Sequence, residues 1–120
     1  MKKKIQYEES SGNVFADLGI ENPEEALAKA ELARQIGKLI KKKKLTQKQA
    51  AEILGIDQPK ISALIRGRLR SFSLERLIRL LNELGQDVSI MISPAKSKTE
   101  RGHTWISESY SNAQIAALGK

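Results

Sequence analysis

The chain is 120 residues long and 40% hydrophobic, enough to bury one compact core and hardly two. It has no cysteine and one histidine, His103, which leaves no disulfide framework, no thiolate metal site and little of the usual catalytic and zinc chemistry. Its 21 Lys and Arg outnumber 14 Asp and Glu for a net charge of +7, which points to a polyanionic partner.

The basic excess is local. Residues 36–70 carry Lys38, Lys41, Lys42, Lys43, Lys44, Lys48, Lys60, Arg66, Arg68 and Arg70 against only Glu52 and Asp57, while the segments on either side are close to neutral. The lysine run at 41–44 also suits a solvated helix end, where cations meet the negative pole of the helix dipole. No stretch approaches the roughly 18 apolar residues of a bilayer span, and residues 1–9 lack the apolar run of a signal peptide. The expectation is a cytoplasmic protein with no membrane contact, no cofactor and no metal.

Residues 1–21 show no sustained hydrophobic period and read as a flexible arm with a small apolar cluster of Phe15, Leu18 and Ile20. Asn22 as cap, Pro23 in the first turn, and Glu24 and Glu25 at the positive end of the dipole predict a helix. Leu32, Ile36, Leu39 and Ile40 form its apolar face, closed by the lysine run. Thr46 followed by Gln49 is a capping-box pattern that opens a short second helix ending at Leu54, with Gly55 after it. Asp57 predicts the cap of a third helix, which tolerates Pro59 in its first turn and stops at Gly67. Ser73 predicts the cap of a fourth, with Leu74, Leu77, Ile78, Leu81 and Leu84 on one face and Gly85 as its stop.

Beyond Gly85 the period changes to two. Val88, Ile90 and Ile92 alternate with Ser89, Met91 and Ser93 before Pro94, the pattern of a half-buried strand. A lone strand is not stable, so this one is expected to pair with its copy in a homodimer. Residues 94–120 read as a flexible tail, with Trp105, Ile106 and Tyr110 its large apolar groups and residues 112–118 able to form a transient turn of helix. The fold class is therefore mainly all-α, with four to five helices and one C-terminal strand, organised as an arm (1–21), a domain (22–93) and a tail (94–120).

Residues 45–67 have the spacing of a helix-turn-helix. Two short helices crossing steeply need a small residue where they touch, Ala50 or Ala51, and a glycine where the chain turns, Gly55. Apolar residues at Ile53, Ile56, Ile61 and Leu64 then lock the angle. The second helix can enter the major groove with its N-terminal residues toward base edges. The same residues also fit an ordinary helical bundle, but the basic excess falls on this segment, which favours DNA.

Residues 13–93 resemble the Xre/Cro-type helix-turn-helix regulators, and within them the short HigA-like antitoxins that partner RelE/HigB-type ribonuclease toxins. The resemblance rests on Asn13-Val14-Phe15-Ala16-Asp17-Leu18-Gly19, Leu45-Thr46-Gln47, Ile61-Ser62, Arg66-Gly67, Phe72-Ser73-Leu74 and Leu84-Gly85-Gln86-Asp87-Val88. It implies an autorepressor that binds its operator as a dimer and holds a toxin through a segment outside the reading helices. Free-standing repressors share much of the pattern, so a prophage-like or metabolic repressor without a toxin is the alternative reading. The tail after Ser93 lies outside the family pattern.

The expected base contacts are Gln58, whose amide can bond two edge atoms of adenine, Lys60 to guanine or phosphate, Pro59 and Ala63 through apolar contact, and Ser62. Thr46, Gln47 and Lys48 at the start of the second helix, and Arg66, Arg68 and Arg70 after the third, are expected on phosphates. Phe15, Leu18 and Ile20 either fold back on the chain's own core or dock on a toxin. No phosphate loop or carboxylate pair beside a histidine is present, so no enzymatic activity is expected.

Overall fold

The computed structural model describes residues 18–19, 22–97 and 101–107. Phe15, Ile20, Tyr110 and the helical turn expected at 112–118 lie outside them. Among the described residues there are four helices: α1 (Pro23–Lys42), α2 (Gln47–Leu54), α3 (Gln58–Ile65) and α4 (Leu74–Glu83). α1 packs along α4 and α2 against α3, while α3 also touches α1 and α2 touches α4. None of these helices is long and apolar enough to cross a membrane.

The core sits between the two pairs. Ile36, Ile61 and Leu77 are fully buried, one each from α1, α3 and α4, and Leu64 and Phe72 are nearly so. Burying each such side chain contributes about 1.5–3 kcal/mol. α4 buries Leu77, Leu80, Leu81 and Leu84, the i, i+3, i+4, i+7 stripe of an amphipathic helix. Leu74 and Ile78 sit at the margins of that stripe, and Leu80 joins it. Phe72, in the loop before α4, closes the core from below with the Arg76 guanidinium 5.4 Å from its ring centre.

Two of the four expected caps form as side-chain bonds. Thr46 Oγ1 accepts the Gln49 N–H at 3.0 Å and Gln49 Oε1 accepts the Thr46 N–H at 2.9 Å, a complete capping box. Ser73 Oγ accepts the Arg76 N–H at 3.1 Å. Asn22 takes a left-handed backbone (φ 53°) and makes no side-chain cap, because that bond needs an extended cap residue. Asp57 has the extended backbone but also makes none. Pro59 has no N–H to offer, and the Lys60 N–H is already bonded to the Asp57 carbonyl at 2.9 Å.

One further expectation is corrected, and another is not met within the single chain. Ile53 does not lock the helix crossing, being 47% exposed; it falls about 200° around α2 from buried Ala51. Nor do Val88, Ile90 and Ile92 form a strand, since residues 86–96 have no regular structure and Ile90, Met91 and Ile92 are 75%, 88% and 92% exposed. A strand exists through ladder hydrogen bonds to a neighbour, and among the described residues nothing pairs with this segment.

Residues 101–107 return to the first half of α1. The Thr104 N–H donates to Glu24 Oε1 at 3.0 Å and the His103 ring bonds the other carboxylate oxygen. Ile106 packs on the core, and with Thr104 and Trp105 it faces Leu27, Ala28 and Glu31 across a shallow cleft. Partial burial pushes the Glu24 carboxyl up, but the Thr104 N–H, the His103 bond and charge, and the Arg101 charge together outweigh it and hold it below the ordinary value. At Glu31 the Arg34 bond leads in the same direction, against burial and with help from Gln35 and the charges of Arg34 and Lys38.

Two measurements check this account. In urea denaturation, Thr46→Ala costs about 1 kcal/mol, whereas Asp57→Ala shifts stability by less than about 0.5 kcal/mol. A lowered carboxylate pKa stabilises the fold above the glutamate value of about 4.3, and that contribution is lost as pH falls through the lowered folded values. The anisotropy of Trp105, the one tryptophan, therefore drops on acidification from about pH 6 to about pH 3, and Glu24→Ala shows the low value already at the upper pH.

Candidate nucleic-acid interface

The unit that positions the site is α2, a three-residue turn and α3. Ala50 is fully buried and Ala51 nearly so where α2 meets the core, which brings the two helix backbones close. Gly55 turns the chain at φ 68°, a conformation cheap only without a Cβ. Ile56, in the turn, packs against the core, and Ile61 and Leu64 anchor the inner face of α3. With that face committed to the core, the first turn of α3 stays outside. Gln58 and Pro59 are exposed and Lys60, Ser62 and Ala63 half-buried.

The start of α2 is open in the same way. Thr46, Gln47 and Lys48 are exposed, and the first N–H groups of a helix have no intrahelical acceptor. The capping box uses Thr46 Oγ1 as an acceptor, which leaves its hydroxyl proton available to an anion. The amide oxygen of Gln49 is taken by the Thr46 N–H. Arg66 follows the last turn of α3, and Arg68 and Arg70 continue along the exposed loop.

Among the described residues, Lys29 pairs with Glu25 at 3.2 Å, Arg34 with Glu31 at 2.7 Å and Arg79 with Glu75 at 3.9 Å, and the His103 ring bonds Glu24. These four contacts lie on α1, α4 and the returning segment. Among the described residues, no hydrogen bond or ion pair engages the side chains of Lys48, Lys60, Arg66, Arg68 or Arg70. Neither acid of the unit, Glu52 or Asp57, neutralises them. Cations left without partners keep their whole field for an incoming polyanion.

Of the apolar residues expected to meet a toxin, Leu18 is described and is 70% exposed. The sequence marks Lys44 only as one of the basic run at 41–44; in the structure it precedes α2 with a left-handed backbone (φ 57°). The signal that marks it is a lysine where the other helix ends carry glycine.

Residues 14–93 match the pattern of a helix-turn-helix domain family. No curated protein matches the chain. A solved structure assigned to the XRE family of transcriptional regulators is 42% identical and superimposes with a TM-score of 0.64, the match covering 76% of this chain and all of that one. Together with a glycine turn between two short helices and a second helix whose start is exposed and followed by Arg66, Arg68 and Arg70, these matches show that the chain belongs to the helix-turn-helix domain family, as a DNA-binding transcriptional regulator of the XRE type.

Proposed function

We propose that the protein is a sequence-specific repressor that binds its own operator as a homodimer and serves as the antitoxin of a type II toxin–antitoxin pair, neutralising an mRNA-cleaving toxin of the RelE/HigB type. The observation that carries the DNA half is the exposed first turn of α3 flanked by cations without partners. Gln58 reads a base through its two-point amide, with Lys60, Ser62 and the apolar Pro59 and Ala63 completing the contact. Thr46, Gln47, Lys48, Arg66, Arg68 and Arg70 hold phosphates and set register.

The dimer reading is supported by the apolar run at 88–92. Three of its residues are at least three-quarters exposed in the single chain, an arrangement that invites cover. Pairing Val88, Ile90 and Ile92 with the same strand of a second copy would satisfy its backbone and shield its side chains. Two reading helices on one face of B-DNA would then meet half-sites about 34 Å apart. The toxin role rests on the resemblance of residues 13–93 to HigA-like antitoxins and on the exposure of Leu18, one of the small apolar cluster of the arm.

Three tests follow. Affinity for the operator falls on the order of a thousandfold between about 50 and 200 mM salt if the dimer makes six to ten phosphate contacts. Gln58→Ala relaxes discrimination at one base pair by about 1–3 kcal/mol, whereas Arg68→Ala weakens all duplexes alike; a flat salt plot, or loss of random-DNA binding in Gln58→Ala, contradicts the assignment. Ile90→Lys gives a helical monomer in sedimentation, and a dimer of unchanged strength rejects the strand pairing. Co-expression with the product of the adjacent gene and a pull-down through this chain recovers a ribonuclease, while an operator-binding chain that captures none is a stand-alone repressor.

A further inference from the structure

All four helices close on one hydrogen-bond pattern, in which an N–H beyond the end reaches back five residues to a carbonyl. Leu45 bonds Ile40 at 3.0 Å, Ile56 bonds Ala51 at 3.1 Å, Arg68 bonds Ala63 at 2.8 Å and Gln86 bonds Leu81 at 3.0 Å. The pattern needs a left-handed residue just before the donor. Three ends supply Gly55, Gly67 and Gly85 at φ 68°, 78° and 85°, whereas α1 supplies Lys44 at φ 57°. That backbone is strained for any residue with a Cβ.

The helix dipole accounts for Lys41 and Lys42, which lie in the last turn of α1. It does not account for a lysine in the one position that favours glycine. Lys44 is exposed, and its side chain bonds none of the described residues. It stands two residues before Thr46, so their Cα atoms are at most about 7.6 Å apart. A duplex strand carries one charge every 3.4 Å or so along the axis. A strand that runs from the start of α2 toward the end of α1 would meet Lys44 within one or two phosphates.

We propose that Lys44 is a phosphate-binding residue, a cation set at the left-handed close of α1 so that it and the start of α2 grip neighbouring phosphates of one strand. This rests on the DNA reading of α2 and α3. It assigns the strained position a task that neither capping nor the helix dipole provides.

The test titrates labelled operator and random duplexes across salt with the full chain, Lys44→Gly, Lys44→Asn and Lys44→Arg. Glycine relieves the strain and asparagine tolerates it, so both variants stay folded by circular dichroism and remove only the charge. Both bind the two duplexes more weakly, with a log–log salt slope shallower by about one per bound protomer, while Lys44→Arg keeps the wild-type slope. Wild-type affinity and slope in the folded glycine and asparagine variants overturn the role of Lys44 and leave the DNA reading standing. A wild-type chain that shows no salt-dependent binding to either duplex overturns the DNA reading and this assignment with it.

Discussion

The close approach of α2 and α3 is the constraint on which the rest depends. Fully buried Ala50 lets the helices touch, Gly55 turns the chain, and Ile61 and Leu64 fix α3 by its inner face. A larger side chain at Ala50 would force the helices apart, because a packed core accepts little extra volume. Once the inner face is committed, the first turn of α3 has only solvent to face. The exposure of Gln58 and Pro59 is thus a consequence of core packing rather than a separate feature of the surface.

The same packing separates two electrostatic regimes. On α1 and α4, Lys29 with Glu25, Arg34 with Glu31 and Arg79 with Glu75 form short i, i+3 and i, i+4 pairs that contribute little to stability at exposed sites. On α2, α3 and the loop after them the cations stand without carboxylates. Mutual repulsion among these cations is tolerated because the paired charges elsewhere leave the fold to its hydrophobic core. Among the described residues the cations of α2, α3 and the loop after them therefore have no structural task of their own.

The returning segment adds a detail to that division. Glu24 lies in the first turn of α1, where a carboxylate already suits the positive pole of the dipole. Its two oxygens hold Thr104 and His103, which places Ile106 on the core and covers Ala28. One acidic residue thus serves both the start of a helix and the anchoring of a segment some eighty positions away.

The four helices, the glycine turn, the Thr46 capping box and the Ser73 cap were determined by the sequence itself. Each depends on residues within a few positions of one another, where periodicity and turn chemistry act. What only the tertiary structure decided is of longer range or finer grain. Whether Asp57 caps α3 turned on the Lys60 N–H being taken by a carbonyl, and whether Ile53 or Leu80 entered the core turned on how neighbouring helices were rotated. The alternation at 88–92 marks a segment able to pair, but a strand needs a neighbour's backbone, which no local pattern supplies. The left-handed Lys44 and the grip of Glu24 on residue 104 are likewise set by how the whole chain closes on itself.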